Sequence, residues 1–221
     1  LAAALAAGIH LLKVSDKTAK AKVYTSAPGA LVLDMPEEMQ FTKPVKDQSG
    51  FGNDGWKAEE GNYIALPHTP SLDSNGRTLT MMAWIYDPGS KRGLIDLMAK
   101  GDNHVLQLSG GRLSFFAGGW GRGDVKVSLP DDWQNHWHHI AGVCTGPKLQ
   151  LYIDGALKGE TAVDEVPSLN VAAGWTIGSN EEFPLNRTFD GKIRNVKIYA
   201  APLSENDIKA IYLKEKPAMN P

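Results

Sequence analysis

Cysteine is nearly missing from this chain: Cys144 is the only one in 221 residues. A lone thiol forms no internal disulfide, so an apolar core has to hold the fold, and a chain of this length can build one. Long apolar runs are missing too. No stretch approaches the roughly 20 residues that a membrane-spanning helix requires. Charge of one sign is also lacking, with 23 Lys and Arg against 25 Asp and Glu and a formal net charge of -2. No basic run interleaves with aromatics, so nothing points to a nucleic-acid partner. Three catalytic signatures are absent: the Gly-x-Ser-x-Gly elbow, the phosphate loop and His-Glu-x-x-His.

Turn formers are abundant, with 23 glycines and 13 prolines scattered along the chain. The first 12 residues, LAAALAAGIHLL, lack an initiator Met and any basic residue ahead of the apolar part. Gly8 as a stop signal favours the last helix of a preceding domain over the remnant of a signal peptide. A polar, Lys-rich connector follows to Pro28-Gly29, so residues 1–29 read as a segment and linker outside the main domain. Residues 30–213 form that domain, and 214–221 a tail.

From Ala30 the pattern is strands and turns. TLTMMAWIY alternates, placing Leu79, Met81, Ala83 and Ile85 on one face and Thr80, Met82, Trp84 and Tyr86 on the other. ALVLDM, NYIALP, GLIDLMAK, HVLQLS, RLSFFA, DVKVSL, LQLYID, WTIGS and KIRNVKIYA are further strands, and DQSGFGNDG is a dense turn region. Turns every eight to twelve residues with no interleaved helices predict an all-β sandwich. One helix is expected near the end. Ser204 is its N-cap with Asp207 three residues on, and Ile208, Ile211 and Tyr212 share a face.

The segment from Trp137 to Gly155 carries the strongest local signals. Asp154-Gly155 predicts a two-residue type I′ turn, which needs positive φ at both positions. The preceding His136, His138 and His139 resemble a metal cluster, but a strand sends His138 and His139 to opposite faces. A His-x-His pair falls short of the three protein ligands of a zinc site, so the histidines read as structural.

WHHIAGVCTGPKLQLYIDGALKG resembles the core signature of laminin-G-like domains of the concanavalin A-like lectin/glucanase superfamily. DQSGFGNDG, GNYIALPHTPSL, TLTMMAWIYD and FDGKIRNVKIYAAPLSENDIKAIY resemble its other motifs, in the same order. The resemblance implies a jelly-roll sandwich of two curved antiparallel sheets with one short C-terminal helix. It makes Trp84 and Trp137 core residues. Curvature needs bulges, and IRNV breaks the alternation between Ile193 and Val196. The fold alone carries no chemistry.

Two chemistries of the superfamily map onto single positions. Its glucanases carry two Glu flanking an Asp on one strand, the pair that retaining hydrolysis needs. In LIDLMAK only Asp96 remains, and the Glu positions hold Leu94 and Lys100. No catalytic residue is expected. Many members bind Ca²⁺ through a carboxylate in the closing strand, where this chain has Arg194. A guanidinium offers no lone pair to a cation. Arg194 is therefore expected to replace the ion and pair with Asp34, so no cofactor is expected. The alternative is a shifted Ca²⁺ site near Asp190 and Asp34.

The loops are left to carry function. In FFAGGWGRGD, Trp120 sits among glycines beside Arg122, either as a sugar-stacking platform or as a loop anchor tucked onto the sheet. Trp133 and Trp175 are secondary ligand candidates, and SNEEFPLNR could line the same rim. Asn186-Arg187-Thr188 is a sequon, and Arg122-Gly123-Asp124 is too short to mean integrin binding. The reading favoured is a non-catalytic carbohydrate-binding or accessory module of a larger secreted or surface protein, at an extracellular, periplasmic or cell-surface location. The alternative is an architectural domain packing on a parent enzyme, such as a glycosidase, sulfatase or phosphodiesterase.

Overall fold

A computed structural model describes residues 22–23, 31–35, 39–41, 63–66, 70–73, 76–89, 93–164, 168–183 and 187–216. The strands are β1 (Lys22–Val23), β2 (Leu31–Met35), β3 (Met39–Phe41), β4 (Ile64–Ala65), β5 (Leu79–Tyr86), β6 (Leu94–Lys100) and β7 (His104–Ser109). They continue as β8 (Arg112–Ala117), β9 (Val125–Ser128), β10 (Trp137–Cys144), β11 (Lys148–Ile153), β12 (Ala156–Ala162), β13 (Trp175–Ile177) and β14 (Gly191–Tyr199). Two helices accompany them, α1 (Pro70–Asp73) and α2 (Glu205–Glu215). The expected turn region Asp47–Gly55, the first 12 residues and Asn186 of the sequon fall outside the described residues.

The strands form two antiparallel sheets. One has eight strands in the order β1-β2-β14-β5-β10-β11-β12, with β3 also on β14; the other has six, β4-β13-β6-β7-β8-β9. This is the expected jelly-roll sandwich with a short C-terminal helix. The eight-stranded sheet begins at Lys22, upstream of the expected boundary at Ala30, because Lys22 and Val23 pair with Asp34 and Leu33. Its helix runs to Glu215, past the expected boundary at 213.

Alternation decides which residues fill the space between the sheets. Leu79, Met81, Ala83 and Ile85 of β5 all belong to the main core, together with Leu106, Leu113 and Phe115 of the facing sheet. Each such Leu or Phe contributes about 1.5–3 kcal/mol by leaving water. The sheets come close at one point, where the Phe115 ring fills the place of a Cβ at Gly142 (2.5 Å). The β11–β12 turn forms as the sequence predicts, with φ of 53° at Asp154 and 75° at Gly155. The irregularity at IRNV is a bulge: Asn195 has φ 52°, and the pairing with β5 shifts between Arg194 and Lys197.

The outer face of the eight-stranded sheet is covered by α2. Its capping box is complete, with Ser204 and Asp207 exchanging side-chain and backbone hydrogen bonds. Ile208 is buried against Met82, Ala141, Val143 and Tyr152, with Ile211 packed beside them. Trp84 is buried as expected, but under this helix and not between the sheets. Its ring stacks on Tyr212 at 5.6 Å and its indole N–H donates to Glu215 Oε2 at 2.8 Å. Trp137 departs from the expectation. It lies on the same outer face at the end of β10, half-buried and tilted against Tyr86 at 5.7 Å. The expected Arg194–Asp34 pair is replaced as well. Lys197 stands directly across from Asp34 in the strand register and approaches it to 3.5 Å, while Arg194 lies three residues earlier, opposite Trp84 of β5.

Candidate functional site

Among the described residues no helix lies on the outer face of the six-stranded sheet, and strand alternation puts polar residues there, of which Lys126 is exposed and Asp96, Gln107 and Ser114 are buried. Asp96, Gln107, Ser114 and Lys126 lie side by side across β6, β7, β8 and β9. With strands about 4.8 Å apart the row spans about 14 Å. At its β9 end lies an open cleft of about 260 Å³ lined by Phe116, Trp120, Gly121, Gly123, Asp124 and Lys126.

Trp120 is 63% exposed, the most exposed large apolar side chain among the described residues. Its loop holds it there. Gly118, Gly119, Gly121 and Gly123 have φ between 88° and 109°, a region L side chains rarely adopt, so the backbone turns sharply on both sides of the indole. Gly119 N–H donates to Asn103 O at 3.0 Å. Gly118 N–H donates to Nδ1 of His104 at 3.3 Å, while Nε2 of the same ring faces Leu169 O at 3.0 Å. Nδ1 can accept only if the ring is neutral, and burial keeps it so by pulling the pKa down to about 4. The edge of the indole meets the Phe116 ring, with centroids 5.6 Å apart and planes at 77°. Trp120 is thus anchored by an edge and still exposed.

Beside the indole, Lys126 and Asp124 form an ion pair, and Ser114 Oγ approaches the same Oδ2 of Asp124 at 3.5 Å. The cleft therefore offers an aromatic face, a carboxylate acceptor and an ammonium donor within one wall. Arg122 is exposed on the same loop but outside the lining, so Lys126 supplies the donor in its place. The sequence reading missed Lys126. The signal for it was present: in Val125-Lys126-Val127 the valines face the core, so the lysine faces outward next to the Trp120 loop.

The other two tryptophan candidates are corrected. Trp133 is 3% exposed, donates to Asp87 Oδ2 at 2.9 Å and stacks on His138 at 5.0 Å. Trp175 is 1% exposed between the sheets, donating to Leu72 O at 2.9 Å. Neither offers a ring face to a ligand. Lys100, at one of the former Glu positions, also points between the sheets. Its Nζ donates to Leu72 O at 2.5 Å, and burial pulls its pKa down to about 8.

At the far end of the row, the loop expected to line the rim packs onto the sheet. Asn180 Nδ2 donates to Asp96 Oδ2 at 3.0 Å, and Arg187 bridges that oxygen (3.4 Å) and Asp102 Oδ1 (2.7 Å). Burial pushes the Asp96 carboxyl up to about 6, against the pull of Asn180 and Arg187. Asp96 Oδ1 and both amide atoms of neighbouring Gln107 are buried with no hydrogen-bond partner. Such groups are rare in folded proteins.

The three histidines go to three places. His136 is exposed. His138 Nδ1 meets Asp154 Oδ2 at 2.8 Å; burial pulls this ring down, but the bonds to Asp154 and Asp132 carry it above its ordinary value. His139 lies under α2 near Trp84 and Tyr212, and burial takes it down to about 4. Among the described residues no three His, Cys, Asp or Glu side chains gather in a metal-holding group, and Asp34, named for the calcium alternative, lies 3.5 Å from Lys197 Nζ.

Residues 58–209 match the family model Laminin_G_3, described as the concanavalin A-like lectin/glucanases superfamily. The chain belongs to this superfamily. No curated protein matches the sequence. Among solved structures it is similar to the binding domain of Paraclostridial Mosquitocidal Protein 1, at 16% identity and a TM-score of 0.58, covering 89% of this chain and 48% of that one. It is also similar to the binding domain of Botulinum neurotoxin DC, solved in complex with rat synaptotagmin II, at 15% identity and 0.53, covering 69% and 39%. The binding domain of Botulinum neurotoxin serotype D matches equally well, at 15% and 0.53, covering 69% and 40%. The chain spans less than half the length of these structures, and at such identities the likeness is one of fold. No helix among the described residues is long and apolar enough to cross a membrane.

Proposed function

We propose that this superfamily domain is a non-catalytic glycan-binding module of a larger secreted or surface protein. The observation that carries the reading is Trp120. A flat apolar face, 63% exposed, stands beside a carboxylate and an ammonium at an open cleft. An indole face packs on the C–H face of a sugar ring, while charged groups at its border take the ring hydroxyls. The solved toxin structures above are binding domains, which agrees with a binding role. The loss of both Glu positions around Asp96 supports the absence of glycosidase chemistry, since Leu94 supplies no nucleophile and Lys100 faces away into the core.

A glycan array with the domain and its Trp120→Ala variant tests this. Binding to at least one glycan, lost in the variant while its thermal unfolding stays unchanged, is the expected result. An array silent at millimolar ligand overturns it in favour of an architectural domain that packs on a parent enzyme.

A further inference from the structure

We propose that the Trp120 cleft takes neutral, hydroxyl-rich sugars and discriminates against acidic ones, an inference that rests on the glycan-binding reading. Its basis is the charge of the cleft wall. The lining holds one acid, Asp124, and one base, Lys126, and the two are paired with each other. A sugar carboxylate or sulfate entering the cleft would need a cation to replace its lost water, and the one ammonium in the wall is already neutralised. It would also meet the Asp124 carboxylate, whose repulsion cancels the attraction of Lys126.

A neutral sugar faces no such conflict. Both contacts of Asp124 fall on Oδ2, which leaves Oδ1 with lone pairs for a hydroxyl proton. Lys126 uses one of its three N–H donors on Asp124. Two adjacent hydroxyls of a pyranose can therefore bind together, one donating to Asp124 and the other accepting from Lys126, with the ring laid on Trp120. Its neighbours in the row, Ser114 and Gln107, are uncharged and buried, so neither brings a charge to the cleft. Arg122, the other base of this loop, stands outside the lining and has contacts of its own.

The test is titration calorimetry of the wild-type domain with cellotriose, maltotriose and lacto-N-tetraose against sialyllactose, a galacturonate trimer and a sulfated chondroitin disaccharide. A neutral probe is expected to bind at least about tenfold more tightly than any acidic one. Its affinity should change by less than about twofold between about 0.05 and about 0.5 M salt. Asp124→Asn, which leaves Lys126 unpaired, should weaken the neutral probe and strengthen the acidic ones in a salt-sensitive way. Lys126→Met should weaken the neutral probe and bring no gain for acidic ones. Tighter, Trp120-dependent binding of an acidic probe by the wild type overturns this inference and leaves the glycan-binding reading standing. Silence from every probe, with the variants folded, overturns both.

Discussion

The two outer faces of the sandwich are built by the same alternation and end in opposite states. On the eight-stranded sheet, α2 covers the face, and the tryptophan there has every group satisfied: Trp84 is buried, stacked on Tyr212 and bonded to Glu215. On the six-stranded sheet no described helix lies across the face, and Trp120, in the β8–β9 loop at its border, is exposed beside an open cleft. Buried polar atoms without hydrogen-bond partners occur on both sides, at Asp96 and Gln107 here and at the His139 ring under α2. One face is closed over its tryptophan, and the proposed glycan contact rests on the exposed tryptophan of the other. What a tryptophan contributes depends on what covers it, and the residue type alone does not decide.

Exchanging the two tryptophans for alanine is the largest test of that contrast. Trp84→Ala should cost about 3–5 kcal/mol, since it empties a buried site and strips Glu215 of a donor. Trp120→Ala should stay within about 0.5 kcal/mol, as for an exposed loop residue. Urea unfolding of both variants checks this, and comparable losses would erase the distinction.

The faces should also respond to pH with opposite sign. His139, under α2, is held at about 4, below the 6.5 of the free ring. Between these values the unfolded chain binds more protons, so His139 contributes stability near neutrality that is lost on acidification. Asp96 is held at about 6, above the usual 3.8. Here the folded chain binds more protons, so its contribution is present below about pH 4 and lost as pH rises through 6. Each difference, roughly two pKa units, corresponds to something on the order of 3 kcal/mol. Unfolding from pH 4 to 7 should show the wild-type advantage over His139→Phe growing with pH and that over Asp96→Asn shrinking. Parallel trends would refute the assignment.

A smaller effect concerns the attachment of α2. Glu215 accepts from both Trp84 and Lys197. Glu215→Gln should cost about 1–2 kcal/mol and raise amide exchange across Glu205–Glu215 while leaving the Trp120 loop unchanged. Exchange that rose equally in both regions would mean the faces are not independent.

Much of this contrast could be read in advance, and the misses share a cause. The alternation of β5, the Asp154-Gly155 turn, the break at IRNV and the Ser204 cap are local patterns, and each appears where the sequence puts it. What covers a face is not local. For Trp120 the glycines left two outcomes open, exposed or tucked onto the sheet, and the structure has the indole 63% exposed. The burial of Trp133 and Trp175 depends on Asp87 and Leu72, 46 and 103 positions away. The partner of Asp34 likewise turned on the pairing of β14 with β2, which puts Lys197 and not Arg194, three residues earlier, across from it.

Resonance mapping of a neutral oligosaccharide titration tests the central claim most directly. The account predicts that the Trp120 indole N–H and the amides of residues 116–126 shift progressively with ligand, while the Trp84 indole and the α2 amides stay still. Shifts centred on Trp84 and α2, with Trp120 unmoved, would contradict it.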